Sequence, residues 1–270
     1  MLYDRDFKIL TKEEKAKWEK AKEYKLEKIK KALGLNPKQL SKFHELMPDA
    51  AYHYESIFPN NYLNIKHLKD VEYLKNLNNI FENLLNTNPG EREILNFISF
   101  NKAYFLIGSI MKSSFNFGHH AAFAFKEFAL PPNFIADYLL IGKNSGGYEF
   151  IFVELESPTG AIVNSDGTFG ATIRKGIKQI EDWDAWIESN FAHLVLLFQK
   201  HQGLHKALPT EFLQLDKSRI HYSIVAGRRN DFKEKTYRAK RKLLRERNIL
   251  LLHYDNLIDG TKLFYNSGNY

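Results

Sequence analysis

The stretch FIADYLLIGKNSGGYEFIFVELESP, residues 134–158, decides the fold prediction for this chain. Two apolar runs are joined by the turn sequence NSGG, and this arrangement predicts a β-hairpin. Each run carries acid where a buried strand is normally apolar: Asp137 in the first run, and Glu154 and Glu156 in the second. Buried carboxylates are costly unless they are paired, hydrogen-bonded or bound to a cation. The hairpin therefore predicts a site that binds a cation or a proton.

The composition is that of an ordinary globular protein, with 44% hydrophobic and 26% charged residues in a chain of 270. The net charge of +7 modestly favours a polyanionic partner. The chain has no cysteine, which excludes disulfides and thiolate zinc sites. The N-terminus MLYDRDFKIL is too charged for a signal peptide, and the apolar stretches are too short to span a bilayer. We therefore expect a cytoplasmic protein with no membrane partner.

The N-terminal third is predicted to be a helical region, residues 1–88, with a regulatory or oligomerisation role. Thr11 is the expected N-cap of its first helix, and Glu14 completes a capping box. Helices are predicted at residues 11–33, from residue 36 until Pro48 interrupts the pattern, and at 68–85. The turn cluster NTNPG at residues 86–90 marks the boundary to a catalytic domain at 89–270.

The catalytic domain alternates apolar strands with helices, which predicts an α/β fold with a mixed central sheet flanked by helices. A short helix is predicted at residues 91–98, a strong one at 171–191 and a very basic one at 231–248. Strands are predicted at residues 104–111, 121–130, 134–141, 148–157, 193–199, 221–226 and 249–254. His119 and His120 are expected in a loop, because adjacent strand residues point to opposite faces.

Strand geometry predicts how the hairpin acids are arranged. Side chains alternate between faces, so Phe150, Phe152, Glu154 and Glu156 share one face. The two glutamates then lie ~6.6 Å apart, and Asp137 is expected to approach Glu154 across the ladder. Three like charges this close cannot all stay ionised without a cation. Hard oxygen ligands suit Mg²⁺, with Mn²⁺ as the alternative.

The order and spacing of these motifs resemble the PD-(D/E)XK nuclease superfamily and, more narrowly, the Shedu antiphage defence family. The resemblance extends over residues 91–258 and does not include the first ninety residues. It lies in a first helix with its acid, two core strands, a glutamine-bearing helix and two late strands. These segments are Glu91-x-x-Ile94-x-x-Phe97-Ile98, Phe134-Ile-Ala-Asp137-Tyr-Leu-Leu, Phe152-Val-Glu154-Leu-Glu156-Ser-Pro158, Gln179-Ile-x-Asp-Trp183, Val225-Ala-Gly227-Arg228 and His253-Tyr-Asp-Asn-Leu-Ile258.

The resemblance implies a restriction-endonuclease-like core and a metal-dependent DNA endonuclease or nickase in prokaryotic antiphage defence. It implies that Asp137 and Glu154 are metal ligands, joined by the carbonyl of Leu155. Glu91 is implied to act through a water, and Gln179 to orient water or the scissile phosphate. We expect DNA as partner, a homo-oligomer, and no small-molecule cofactor.

The chain departs from the superfamily pattern at Glu156, where lysine is usual. Glutamate there can hold a water or help to bind a second metal. A helical wheel places Lys175 beside Gln179, so Lys175 is the candidate for a displaced lysine. A weakened metal site leaves the alternative of a catalytically inactive protein with the same fold that binds nucleic acid or a partner protein. An RNA-directed nuclease is a third interpretation.

Several candidates also have a purely structural interpretation. Asp137 can accept turn hydrogen bonds, Glu91 suits a helix N-terminus, Glu156 can lie exposed at a strand end, and Gln179 can edge an amphipathic face. Candidate contacts to DNA phosphates are Lys175, Lys178, Arg228 and Arg229, joined by the basic helix at 233–247. That helix taken alone is more typical of a solvated face.

Overall fold

The protein, described by a computed structural model over residues 2–31 and 48–270, contains one five-stranded sheet with helices on both faces. The strands are β1 (Ala121–Leu130), β2 (Phe134–Asn144), β3 (Gly147–Leu155), β4 (Ile220–Val225) and β5 (Ile249–Leu252). The helices are α1 (Lys12–Lys31), α2 (Pro48–Glu55), α3 (Val71–Asn86), α4 (Glu91–Phe100), α5 (Tyr104–Ile110), α6 (Ala171–His201), α7 (Glu234–Arg247), α8 (Tyr254–Lys262) and α9 (Phe264–Ser267).

The sheet is mixed, as the sequence predicts. Its strand order is β1-β2-β3-β4-β5; β1, β2 and β3 are antiparallel neighbours, while β4 and β5 run parallel to β3. The parallel pairs require crossovers, which α6 and α7 supply. The predicted hairpin is confirmed, because Asn144 pairs with Gly147 across the turn. Gly147 has a φ of 113°, a conformation that favours glycine.

Alternation along the strands divides the core into two hydrophobic clusters, one on each face of the sheet. Leu140, Ile151 and Val153 face the cluster that contains residues of α3, α4, α5 and α8. Leu139, Ile141 and Phe152 face the cluster built with α6 and α7. The N-terminal residues Leu2, Leu74 and Phe81 belong to the first cluster, so the region before residue 88 packs into the same core. The domain boundary at 88 stays a prediction.

The strand predicted at residues 104–111 is wrong, since this segment forms α5 followed by a π-helical turn, Met111–Phe115. Every residue of α5 is buried. A helix buried on all sides has no polar face, so its sequence lacks the periodicity that separates a helix from a strand. In the described residues no single helix is long and apolar enough to cross a membrane; only α4 with Tyr104–Phe115, bent by 110°, meets that test as a pair.

The strand predicted at residues 193–199 is also wrong, because α6 continues to His201. The helical backbone is interrupted at Asn190, whose φ and ψ are −130° and 26°. This interruption lies next to residue 191, where the helix is predicted to end. Beyond it Leu194, Leu197 and Phe198 are buried at helical spacing, whereas Leu196 is 54% exposed. A short apolar run does not by itself distinguish the two structures.

The N-terminal predictions have mixed outcomes. The capping box is confirmed: the Thr11 amide donates to Glu14 Oε2 at 2.9 Å, and the Glu14 amide donates to Thr11 Oγ1 at 3.2 Å. The helical stretch predicted from residue 36 lies outside the described residues up to Pro48, which begins α2.

Candidate active site

The site forms where β2 and β3 separate. Their ladder ends at the pair Tyr138–Val153, and the same register places Asp137 opposite Glu154 on one face. The Leu155 amide then donates to Asp137 Oδ2 at 2.7 Å. Asp137 therefore uses one carboxylate oxygen to anchor the end of β3, as in the structural interpretation, while its second oxygen stays available for another partner.

Burial dominates the electrostatics of this pair. Glu154 is 3% exposed, and its carboxylate has no hydrogen bond or ion pair within the described residues. Burial raises the pKa of Glu154 to about 9, and the charges of Asp137 and Glu156 add to the shift. Burial likewise raises the pKa of Asp137 to about 7, against the opposing hydrogen bond from the Leu155 amide. Without a cation, Glu154 holds a proton at neutral pH.

Glu156 is buried rather than exposed at the strand end, because its side chain lies under α6. Lys175 Nζ lies 3.3 Å from Glu156 Oε1 and 3.5 Å from Oε2, and donates a hydrogen bond only to Oε2. A Cβ on Gly176 would lie 3.4 Å from Glu156 Cγ, so this glycine lets α6 approach the strand closely. Burial raises the pKa of Glu156, and the lysine opposes the shift. Burial disfavours charge on Lys175, but the surrounding carboxylates outweigh it, so the pKa of Lys175 is raised.

The first turn of α4 brings a fourth acid to the site. Glu93 Oε2 accepts from the Gly90 amide at 2.7 Å and so caps the helix. Glu91 instead lies close enough for its charge to raise the pKa values of Asp137, Glu154 and Glu156. Glu91 is thus both a helix N-terminal acid and a member of the acidic cluster. The cluster then holds four carboxyl groups and one lysine, a balance that favours binding of a cation.

A strained residue lies beside Asp137 on the opposite strand. The β1–β2 ladder pairs residues 126 with 138 and 128 with 136, but leaves Glu127 and Asp137 without a ladder pairing. Glu127 has a φ of 48°, which costs about 1 kcal/mol for a residue with a side chain. Its carboxylate lies 3.5 Å from Arg92 of α4. Nothing in the sequence marks this gap in the ladder, because it depends on how the two strands pair.

The remaining sequence candidates lie in different surroundings. Gln179 follows Lys175 by one turn of α6, and its Oε1 is buried without a hydrogen-bond partner in the described chain. Lys178 is exposed and pairs with Asp182 at 2.5 Å. Arg228 and Arg229 do not reach the acidic cluster, because each binds a carboxylate of α8.

Tyr254, the first residue of α8, is a site residue that sequence reasoning missed. Its buried hydroxyl donates to the backbone carbonyl of Glu156 at 2.7 Å. The Glu156 amide donates to the Val225 carbonyl at 2.9 Å, so both backbone groups of Glu156 are held. The motif around residue 253 gives no signal for this contact, because its partner is almost a hundred residues away in sequence.

Replacement of Tyr254 by phenylalanine is expected to lower the free energy of unfolding by ~1–2 kcal/mol, because a buried carbonyl loses its donor. Urea unfolding at constant m value measures this loss. Tyr237→Phe is the matched control, since Tyr237 is 39% exposed and should change stability by less than ~0.5 kcal/mol. Equal effects of the two substitutions would show that the Glu156 carbonyl does not depend on Tyr254.

The donor set fits a hard cation better than a soft one. All candidate ligands are oxygens, and within residues 2–31 and 48–270 no three His, Asp or Glu side chains are spaced to hold a metal ion by themselves. Mg²⁺ commonly binds through one or two carboxylates and keeps several waters, so Asp137 and Glu154 meet its needs. Within the described residues, the Glu154 carboxylate and Gln179 Oε1 have no hydrogen-bond partner, and these two observations support the fit.

Arg228 and Arg229 are held at the N-terminus of α8 instead. Arg228 Nη2 donates to Asp255 Oδ1 at 2.9 Å, and Arg229 pairs with Asp259. The Asp255 side chain also accepts from the Arg229 amide at 2.8 Å. These arginines therefore stabilise the β4–α7 connection against α8, and their charge is largely neutralised.

Comparison with known proteins assigns the region that contains these strands and acids to a family. The family model described as Shedu protein SduA, C-terminal, matches residues 88–258, which is more than half of the chain. The matched region contains the hairpin acids, Lys175 and Tyr254. A search among curated proteins gave no match. The family match, over a region that contains the whole sheet, shows that the chain belongs to the Shedu family.

Proposed function

We propose that this protein is a metal-dependent DNA endonuclease or nickase with a PD-(D/E)XK-type core, acting in antiphage defence. The observation that carries the proposal is the buried carboxylate of Glu154, opposite Asp137 and without a partner among the residues that the structure describes. A folded protein retains such a costly arrangement most readily where a ligand relieves it. Membership of the Shedu family supports both the nuclease activity and the defence role.

Asp137 and Glu154 would hold the metal, with the Leu155 carbonyl as a further oxygen ligand. Mg²⁺ at this position would lower the pKa of a water and neutralise charge on the phosphate. Lys175 supplies the only ammonium near the four acids in the described chain, and it would stabilise negative charge that develops on the phosphate oxygens. Gln179 Oε1 is an acceptor that can orient a water, and Glu91 can do so from α4.

Plasmid cleavage tests the proposal most directly. Supercoiled plasmid is incubated with purified protein in Mg²⁺, Mn²⁺ or EDTA over a range of salt, with Glu154→Ala in parallel and an RNA substrate alongside. The wild type should convert supercoiled to nicked or linear DNA only with metal, and the variant should not. Absence of cleavage by the wild type, or equal cleavage by both proteins, would contradict nuclease activity at this site and favour the inactive, binding interpretation. Cleavage confined to RNA would contradict the DNA assignment.

The contact between Lys175 and Glu156 gives a sharper prediction about the displaced lysine. Lys175→Met should lower the cleavage rate by at least ~10²-fold, because the transition state loses its positive charge. Lys175→Arg should keep the ion pair and part of the activity. Lys175→Glu should be inactive, and the exchange Glu156→Lys/Lys175→Glu should recover measurable cleavage by returning lysine to the strand.

Lys200→Met is the matched control for this series, since Lys200 is an exposed lysine near the other end of α6. Single-turnover plasmid nicking measures all variants. If Lys175→Met cleaves at the wild-type rate, Lys175 does not replace the strand lysine.

A further inference from the structure

A concave basic groove lies between α6, α7 and the loop that precedes α6. Its volume is about 780 Å³. Six cationic side chains line it, against three acids, Asp166, Glu181 and Glu246. The cations are Arg174, Lys178, Lys235, Arg238, Lys242 and Arg247.

Much of this positive charge is not neutralised by carboxylates. In the described part of the chain, Arg238 has no carboxylate partner; Arg174 donates to the Phe169 carbonyl at 2.5 Å and Lys235 to the Ser165 carbonyl at 3.3 Å. Lys242 lies 3.9 Å from Glu246, at the limit of an ion pair. The groove thus differs from the Arg228–Asp255 contact, where every charge is paired.

Asp166 does little to offset this charge. Its Oδ1 accepts from the Thr168 amide at 2.9 Å and from the Thr168 hydroxyl at 2.7 Å. The Asp166 carboxylate therefore stabilises its own loop through these two hydrogen bonds. Glu181 pairs with Arg247, and Asp182, which does not line the groove, pairs with Lys178. Arg174, Lys235 and Arg238 are the groove cations left without a carboxylate partner in the described residues.

The cations of α7 form a stripe whose length is comparable to a few phosphate spacings of a nucleic-acid strand. Lys235, Arg238 and Lys242 stand at positions i, i+3 and i+7, which share one face of a helix. They span ~10.5 Å along the helix axis. One strand of duplex DNA carries a phosphate about every 3.4 Å of its axis, so this stripe matches about three phosphates.

The groove and the candidate site flank the same turns of α6. Arg174 and Lys178 face the groove, and the residues that directly follow them, Lys175 and Gln179, are the site candidates. Consecutive helical residues differ by ~100° in direction and ~1.5 Å in height. A strand held in the groove therefore needs to pass only one face of α6 to reach the acids.

We propose that this groove binds the phosphodiester backbone of the DNA substrate and delivers one strand to the acidic cluster. The proposal rests on the proposed nuclease function and assigns its substrate contact to α7 and the N-terminal turns of α6, rather than to Arg228 and Arg229. Binding is expected to be independent of base sequence, because the groove supplies charge and no base-reading motif.

Metal-free binding of a fluorescent 30-base-pair duplex, measured by anisotropy in EDTA between 50 and 200 mM salt, separates this contact from cleavage. Arg238→Gln/Lys242→Gln should weaken binding at least ~tenfold at 50 mM salt and reduce the log–log salt slope by about 2. The control Lys69→Gln/Lys200→Gln removes two exposed charges that do not line the groove and should change neither quantity measurably. Arg238→Lys/Lys242→Arg keeps both charges and should bind as the wild type does.

A loss of binding by the glutamine variant supports the proposal only if that variant unfolds at the wild-type temperature. If it unfolds at a lower temperature, the test rests on the charge-keeping variant, which should bind as the wild type does. The proposal is overturned if the groove variant binds with the wild-type affinity and slope, or if the control variant loses as much. It is also overturned if only binding of a matched RNA duplex is weakened.

The two proposals fail in different assays. If the wild type cleaves plasmid and the groove variants bind DNA normally, the groove proposal is contradicted and the nuclease proposal stands. If the wild type does not cleave and the groove variants lose DNA binding, the nuclease proposal is contradicted and the DNA-binding groove stands.

Discussion

Glu154→Gln is expected to abolish DNA cleavage while making the metal-free protein more stable. Glutamine keeps the shape of a protonated glutamate but cannot offer an anionic ligand, so cleavage should fall at least ~10²-fold. Calorimetry should show that Mg²⁺ no longer stabilises the variant. Opposite changes in activity and stability are characteristic of a buried ligand and would not arise from a residue that only packs.

The gain in stability follows from the proton that Glu154 must hold. With a pKa of about 9 in the folded protein against 4.5 in an exposed chain, the wild type folds at pH 7 only by taking up a proton. Glutamine is neutral in both states and avoids that cost, so the free energy of unfolding should rise on the order of 2–3 kcal/mol. The melting temperature should rise by ~5 °C.

Glu72→Gln is the control for this substitution, because the Glu72 side chain is 84% exposed and its change should stay within ~0.5 kcal/mol. Glu154→Gln protein that still cleaves at the wild-type rate would place the active site elsewhere. A variant less stable than the wild type would show that Glu154 has a stabilising partner in the folded protein.

Stability of the metal-free wild type should decrease as the pH rises from about 5 to about 9. Burial raises the pKa of Asp137 from 3.8 to about 7 and that of Glu154 from 4.5 to about 9, so the folded state binds more protons than the unfolded state in this window. Unfolding then becomes easier with increasing pH, by up to ~1.4 kcal/mol per pH unit for each group. Below about pH 3 both groups are protonated in both states, so the stability is highest with respect to these groups and no longer depends on pH through them.

Mg²⁺ should reverse this trend, since the cation binds the deprotonated carboxylates and must displace their protons. Its affinity should therefore increase with pH up to about 9. Melting curves at several pH values, with and without Mg²⁺, measure both effects. Asp137→Asn/Glu154→Gln is the reference, and the wild-type-minus-variant difference isolates the two acids from other titrating groups. A difference that is flat with pH would contradict the burial of ionisable acids at the site.

The hairpin is the part of the site that could be predicted from the sequence. A turn motif fixes the loop, the loop fixes the register, and the register fixes that Asp137 faces Glu154. The same local rules identified most strands, the capping box and the acids of the first turn of α4. They failed at α5 and at the end of α6, because burial on all sides and a break at Asn190 hide the helical period.

Contacts between distant segments could not be predicted. Glu156 was an uncertain position in the sequence, and only the approach of α6 shows that it is buried beside Lys175. The proposed DNA contacts differ from the predicted ones for the same reason: the charge of Arg228 and Arg229 is neutralised by α8, while cations of α7 line a groove. A sequence shows which residues are charged but not which carboxylates they pair with. That pairing decides whether a cation is free to bind phosphate.

The sequence by itself determined the order of the strands along the chain, the hairpin and the presence of three acids on two buried strands, because turn chemistry and side-chain alternation act within a few residues. The tertiary structure alone decided the raised pKa values of Asp137 and Glu154, the lysine beside Glu156 and the basic groove between α6 and α7. Those properties depend on desolvation and on charges brought from α4, α6 and α7, which act through space between segments far apart in the chain.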